Sequence, residues 1–136
     1  MPKLRPDDYD SMARFRHLVR KFLRFSKDFL KRTANLNSEQ YEALLAIKAF
    51  TSGKSLTIAE LSERLQVKHH SAVNIVDRLV ARKLVRRNTS PHDRRARHLE
   101  LTAAGSKLVE GLAAVHRKEI RRRSPEIITV LERLKR

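Results

Sequence analysis

The sequence predicts a mainly α-helical fold with one small β-hairpin. Apolar residues recur at helical spacing through most of the 136 residues. Two short helical segments follow each other across a tight turn, and the apolar period then changes from 3.6 to 2 on both sides of a turn-rich segment. A chain of this length is expected to build one hydrophobic core, so we interpret residues 1–136 as a single domain.

The chain is strongly basic. Lys and Arg number 31 against 15 Asp and Glu, which gives a formal net charge of +16. Such a charge attracts polyanions, and it does not by itself separate duplex DNA, RNA and an anionic membrane surface. The absence of cysteine excludes disulfides, thiolate zinc sites and a catalytic cysteine, and it fits a cytoplasmic protein. Basic residues interrupt every apolar stretch, so no membrane insertion is expected.

Capping signals place the first three helices. A wide apolar face predicts a long helix over about residues 7–34, and a face this wide predicts burial against a partner subunit. Asn37 followed by Gln40 forms a capping box that opens the second helix. Thr57 followed by Glu60 forms another, which opens a short third helix.

The third helix begins the most informative part of the chain. It is expected over Ile58–Leu65, and after three residues a fourth helix follows from about His69 to Lys83, so the pair predicts a helix-turn-helix. Alternating residues in 84–87 and 97–101 predict two strands around a turn-rich segment, which is a β-hairpin wing. The winged helix-turn-helix therefore covers about residues 37–102.

The C-terminal part is predicted to be helical in two pieces. Thr102 can cap a helix whose apolar stripe is lost in the run Arg121–Arg123. Ser124-Pro125 then predicts a new helix start, because proline favours the first turn of a helix. We interpret residues 103–136, together with 7–34, as dimerisation helices.

The second helix of the helix-turn-helix carries the candidate base contacts. An α-helix fits the major groove, where Asn can pair with adenine in bidentate fashion and Ser or Arg can reach base edges or phosphates. The candidates on this helix are His70, Ser71, Asn74 and Arg78. Arg78 is interpreted as a phosphate or ion-pair residue more than a base reader.

The hairpin carries the candidate shape contacts. A thin basic projection suits the minor groove, where Arg responds to groove width and negative potential. The candidates there are Arg86, Arg87, Arg94, Arg95 and Arg97, beside the acidic Asp93. Lys68 and Arg86, with Arg82 and Lys83, are expected to contact phosphates.

These residues resemble a known family. The segment LSERLQVKHHSAVNIVDRLVARKLVRRNTSPHDRRARHLELTAAG is similar to the winged-helix signature of the multiple antibiotic resistance regulator (MarR) family, and LNSEQYEALLAI resembles its second helix. The most specific pieces are Asp93-Arg94-Arg95 and Leu101-Thr102-x-x-Gly105. The chain departs from the pattern in two respects: Lys83 stands where the family often has Gly, and the absence of cysteine removes the oxidant-sensing mechanism of some relatives.

The resemblance implies a homodimer that binds pseudo-palindromic operators and represses nearby genes, with small aromatic or other anionic ligands weakening DNA binding. It implies that Arg95 enters the minor groove and that Asp93 helps to hold the wing, with Arg94 a weaker candidate. Ser71, Asn74 and Arg78 fall where members of the family contact DNA.

Other functions compete with this interpretation. A nonspecific architectural DNA-binding protein would also explain the excess charge, and a basic membrane-surface helix over residues 9–32 is a third hypothesis. An enzyme is the class least favoured, because no nucleophile arrangement or phosphate-binding loop occurs. No cofactor or metal is predicted, since no His pair has the i, i+4 spacing of a helical metal site.

Overall fold

The structure, a computed structural model, describes residues 3–50, 56–89 and 97–136, without the side chains of Thr89 and Arg97. This part of the chain forms five helices and a small antiparallel sheet, which confirms the predicted fold class. In chain order the elements are α1 (Pro6–Ala34), α2 (Ser38–Ala49), β1 (Leu56–Thr57), α3 (Ile58–Leu65), α4 (His69–Ala81), β2 (Val85–Thr89), β3 (Arg97–Leu101) and α5 (Ala103–Leu134).

The predicted capping boxes start their helices as expected. The Asn37 side chain accepts the Gln40 N–H at 2.8 Å, and the Gln40 side chain accepts the Asn37 N–H at 2.9 Å. The Thr57 hydroxyl accepts the Glu60 N–H at 3.2 Å. Each box satisfies backbone donors that a helix start leaves free, so α2 and α3 begin where local chemistry places them.

The long helices α1 and α5 lie side by side in opposite directions. The Arg5 guanidinium, beside the start of α1, donates to the Arg136 carbonyl at 3.3 Å, and Ser26 meets His116 near the middle of both helices. The amino end of α1 therefore lies against the carboxyl end of α5. This arrangement puts both predicted dimerisation segments on one side of the molecule.

A buried histidine joins these helices to the winged half. His116 Nδ1 lies 2.7 Å from the Leu112 carbonyl, which can only accept, so this nitrogen donates. The other ring nitrogen, Nε2, lies within hydrogen-bond distance of the Ser26 hydroxyl, at 2.8 Å. The Tyr41 ring of α2 stacks on the imidazole with ring centroids 4.4 Å apart. Three aromatic rings of α1, those of Phe22, Phe25 and Phe29, contact this histidine edge to face.

The predicted helix start at Ser124-Pro125 is wrong. One helix, α5, runs without interruption from Ala103 to Leu134 and contains Pro125. Pro125 has no N–H to donate to the Arg121 carbonyl, one helical turn earlier. The Ser124 hydroxyl donates to that carbonyl at 2.9 Å instead. The side chain before the proline thus satisfies the acceptor that the proline leaves free.

The sheet has the strand order β1-β3-β2, with antiparallel pairing throughout. In the hairpin Val85 pairs with Leu101 and Arg87 with Leu99, and β1 adds Leu56 on the other side of Leu99. The sequence did not predict β1, a strand of two residues. The hairpin itself confirms the predicted wing, although β2 runs two residues further than expected.

One core supports the winged half. Its fully buried members come from every element of that half and include Leu44, Leu56, Leu61, Val76, Leu79 and Leu99. Burial of these side chains fixes which face of α4 is left to solvent. Within the described ranges, no helix combines the length and the apolar character that a bilayer crossing requires.

Candidate nucleic-acid interface

The helix α4 presents one polar face to solvent. Its apolar residues Ala72, Val76 and Leu79 are completely buried. Asn74 and Arg78, four residues apart, lie on the exposed side of the same helix. The predicted base-contact face is therefore accessible along the length of α4.

The amino end of α4 is open to an anion. Lys68 is its N-cap and makes no side-chain capping bond, and the first turn holds no acidic residue. The first N–H with a helical partner is that of Ala72, which donates to the Lys68 carbonyl at 3.1 Å. Free N–H groups and the positive end of the helix dipole favour a phosphate here. Lys68, His69 and His70 are exposed around this end, whereas Ser71 is half-buried.

His69 is a candidate phosphate contact that the sequence reasoning missed. It is the first residue of α4 and is exposed beside the open helix end. The signal was its place directly after the N-cap, where a side chain lies close to the free N–H groups. Among the described residues, no three His, Asp or Glu side chains lie close enough together to hold a metal ion, and this includes His69 and His70.

An ion pair fixes α4 against the hairpin. Asp77, on the exposed side of α4, pairs with Arg87 of β2, whose side chain is 22% exposed. The sequence analysis counted Arg87 among the hairpin arginines expected to contact DNA, and its ion pair within the protein corrects that expectation. Because Asp77 neutralises the charge of Arg87, this arginine orients α4 against the hairpin more than it contacts DNA.

A second ion pair lies on the hairpin surface. Arg86 Nε is 3.2 Å from a Glu100 carboxylate oxygen on the neighbouring strand, and most of the Arg86 side chain remains exposed. A hydrogen bond from Asn88, then that from Arg86, lowers the pKa of Glu100 below its ordinary value. Glu100 therefore stays ionised at neutral pH, and Arg86 can share its guanidinium between this carboxylate and a phosphate.

The base of the hairpin is locked to the start of α5. The Thr102 N–H donates to the Leu84 carbonyl at 3.0 Å, and the Thr102 hydroxyl donates to the Lys83 carbonyl at 2.7 Å. The same hydroxyl accepts the Gly105 N–H at 3.0 Å. Gly105 approaches Leu84 so closely that a Cβ there would stand 2.0 Å from the Leu84 carbonyl oxygen. The Leu101-Thr102-x-x-Gly105 motif therefore joins the wing to α5.

Lys83 makes the tight turn from α4 into the hairpin. Its φ is +61°, in the left-handed region, although the residue is not Gly. This is the position where the family often has Gly, and Lys83 adopts the left-handed conformation although it carries a Cβ. The strained conformation also ends α4 at Ala81, two residues before the predicted end.

We expect Lys83→Gly to stabilise the fold. Removing the Cβ relieves about 1–2 kcal/mol of left-handed strain, against an extra entropy cost of about 0.5–1 kcal/mol for Gly. The free energy of unfolding, measured by urea titration, should rise by up to about 1 kcal/mol. Lys83→Ala removes the same charge and keeps the Cβ, so equal stability of the two variants would contradict this account.

Arg82 is occupied within the protein. Its guanidinium donates to the carbonyls of Ala34 and Asn35 at 2.9 and 3.0 Å, where α1 ends. A cation at this place complements the negative end of the α1 dipole. Arg82, which was expected to contact phosphate, thus ties the end of α4 to the end of α1.

The structure brings part of the predicted site together. Lys68, His70, Ser71, Asn74 and Arg78 all lie on α4 or its N-cap, and Arg86 lies on β2. Arg97 belongs to β3, paired with Thr89, but its side chain is outside the described part. Asp93, Arg94 and Arg95 lie outside the described residues altogether.

A helix-turn-helix with an exposed polar second helix and an adjoining basic hairpin defines the fold: a winged helix-turn-helix, an architecture common among DNA-binding transcription regulators. The MarR family model matches residues 34–96, which contain α2, the helix-turn-helix and β2. Residues 34–96 are therefore similar to the MarR family, which confirms the resemblance inferred from the sequence. Regulators of this family bind DNA and are not enzymes.

Solved structures share the fold over nearly the whole chain. MarR from E. coli, as a mutant, superposes with a TM-score of 0.71 at 23% identity, covering 98% of this chain and 97% of that one. The transcriptional regulator BldR from Sulfolobus solfataricus gives 0.74 at 22% identity, covering 97% and 94%. MepR from S. aureus, in a complex with DNA, gives 0.71 at 22% identity, covering 84% and 81%. Among curated proteins no match is found.

Proposed function

We propose that this protein is a homodimeric repressor that binds a pseudo-palindromic operator in the cytoplasm. The observation that carries the proposal is the exposed polar face of α4, with an acid-poor, open amino end beside Lys68. MepR, which has the same fold, has been solved in a complex with DNA. In this proposal Asn74, Ser71 and His70 face base edges, while Lys68, Arg78 and Arg86 contact phosphates. The wing residues Arg94, Arg95 and Arg97 contribute the minor-groove contacts, and Asp93 helps to hold the wing.

An exposed apolar patch supports the homodimer. It lies where the amino end of α1 meets the carboxyl end of α5, and we call it the apical patch. It consists of Leu4, Tyr9, Met12, Ile128 and Leu131, all at least 39% exposed in the single chain. Apolar side chains grouped at one end of a molecule are characteristic of a protein–protein interface. A second copy would cover this patch and place two α4 helices on one duplex.

A cavity supports a small anionic or aromatic effector. It has a volume of about 440 Å³ and lies between α1 and α5. Its lining combines the apolar Leu18 and Phe25 with four cations and two carboxylates, namely Lys21, Arg24, Arg122, Arg123, Asp28 and Glu126. Its size is that of a small-molecule site. An organic anion bound there would change the packing of α1 on α5, and through it the spacing of the two α4 helices.

The proposal is tested by comparing two α4 variants. If Asn74 pairs with a base, Asn74→Ala weakens the preferred duplex by roughly 1–3 kcal/mol and relaxes the preference at one operator position. Arg78→Ala serves as the comparison, because loss of a phosphate contact weakens all duplexes about equally. Binding to the preferred duplex and to its single-base variants is measured by competition titration. Equal weakening of every sequence by Asn74→Ala would contradict its assignment as a base reader.

A further inference from the structure

A row of four cations follows the carboxyl half of α1. Arg20, Arg24, Lys27 and Lys31 are spaced by four, three and four residues, which places them on one face of the helix. All four side chains are exposed. We call them the α1 basic stripe. At 1.5 Å of rise per residue the stripe is about 16 Å long.

The stripe carries unneutralised charge. None of its members forms an ion pair with any residue of 3–50, 56–89 or 97–136. Asp28 is the single acidic residue between Arg16 and Arg32. Like charges three or four residues apart repel one another and destabilise a helix. A polyanion bound along the stripe would relieve this repulsion.

Elsewhere the chain neutralises neighbouring cations. On α5 the Glu119 carboxylate accepts from Arg122 at 2.7 Å and from Arg123 at 2.6 Å. The hydrogen bond from Arg122, followed by that from Arg123, lowers the pKa of Glu119, which keeps this carboxylate ionised at neutral pH. Asp28, the one carboxylate beside the α1 basic stripe, forms no ion pair with any of its four members, so the stripe differs from an ordinary ion-paired helix face.

The stripe is separate from the α4 surface and from the apical patch. Leu18, Ser26 and Leu30 bury the opposite face of α1 against α5 and α2. Arg20, Lys27 and Lys31 therefore point away from the body of the protein, whereas Arg24 also lines the cavity between α1 and α5. It also occupies the half of α1 that ends at Ala34, whereas the apical patch lies at the other end, around Tyr9 and Met12. A dimer that forms through the apical patch leaves the stripe accessible.

We propose that the α1 basic stripe is a second DNA-binding surface, which takes the phosphate backbone of a separate duplex. Each strand of B-DNA presents one phosphate per about 3.4 Å of axis, so 16 Å faces about five phosphates. A helix face of Lys and Arg without Asn, Gln or Ser contacts phosphates and does not read bases. The protein thereby bridges two DNA segments, one held by α4 and the wing and the other held by α1 without sequence preference.

A two-duplex capture experiment tests this surface. An immobilised 30-base-pair duplex is loaded with protein at about 50 mM salt, where nonspecific contacts are strong, and a labelled second duplex is then added. The test variant replaces all four stripe residues by Gln. The matched control carries the same charge change at four exposed cations of α5 that lie outside the apical patch, namely Lys107→Gln, Arg117→Gln, Lys118→Gln and Arg121→Gln. Vesicles with anionic lipid replace the second duplex in a parallel arm.

We expect the wild-type protein and the control to capture the second duplex, and the stripe variant to capture it at least about tenfold less. The stripe variant should still be retained on the first duplex, which shows that the α4 surface is intact and separates this test from that of the proposed function. Equal capture by the stripe variant would overturn the proposal. It would also be overturned if the wild type captured anionic vesicles but no second duplex, which would assign the stripe to a membrane surface.

Discussion

Ile128→Asp combined with Leu131→Asp should convert the protein to a monomer and weaken operator binding by at least about a hundredfold. Both side chains belong to the apical patch and are 51% and 42% exposed in the single chain. A carboxylate buried in an apolar interface loses its hydration without gaining a partner. A monomer binds one half-site and loses the gain of about 10²–10⁴ that two linked sites provide. Light scattering gives the mass, and operator titration gives the affinity.

Leu45→Asp is the control for this prediction. Leu45 lies on α2, outside the apical patch, and is 41% exposed, almost as much as Leu131. The same chemical change there should leave the dimer and operator binding intact. A dimeric double variant would show that the apical patch is not the interface. A monomeric variant with wild-type operator affinity would show that dimerisation does not supply the affinity.

Gly105→Ala should destabilise the protein and displace the wing. Its Cβ would stand 2.0 Å from the Leu84 carbonyl oxygen and 2.9 Å from the carbonyl carbon, both of which belong to backbone. Either α5 or the entry to the hairpin must shift, and forcing an extra methyl into a packed site costs about 1–3 kcal/mol. We expect the free energy of unfolding, measured by urea titration, to fall by about 2 kcal/mol. Operator affinity should fall as well, since Thr102 positions the wing.

Gly111→Ala makes the same change six residues later in the same helix. A Cβ on Gly111 would meet nothing within 4 Å. This variant should gain up to about 1 kcal/mol, because Ala is a better helix former than Gly. The two substitutions therefore have opposite signs. A stability gain in both would mean that the approach of Gly105 to Leu84 is not a constraint on the fold.

Local chemistry made the helix starts predictable. Asn37, Thr57 and Thr102 each satisfy a backbone donor three residues ahead, an interaction that depends on nothing distant in the sequence. The change of apolar period predicted the hairpin for the same reason. The strand β1 could not be found in this way, because two residues pair only when β3 is already in place beside them.

Pro125 shows where local signals mislead. Ser-Pro is a common helix start, yet Ser124 can also support a proline inside a helix by donating to the Arg121 carbonyl. Tertiary packing decides between the two outcomes, since Val130 is buried beyond the proline and holds α5 against α1. A single-sequence pattern does not contain this information.

The sequence predicted which residues lie at the site better than it predicted what each of them does there. Exposed Asn74 and Arg78 follow from the helical period of the buried residues around them. The partners of Arg82 and Arg87 do not follow from the helical period, because Ala34 and Asp77 become their neighbours only after folding. Two arginines from one basic segment therefore stabilise the fold, while Arg86 keeps most of its side chain exposed.

The central claim is that two α4 helices read a symmetric operator. The most direct test is selection of bound duplexes from a random library at near-physiological salt, with the selected sequence then competed against scrambled DNA. The account predicts a pseudo-palindromic winner with half-sites about one helical turn apart, preferred by on the order of a thousandfold. No consensus, with equal binding to every duplex, would contradict it and would identify a nonspecific architectural DNA-binding protein.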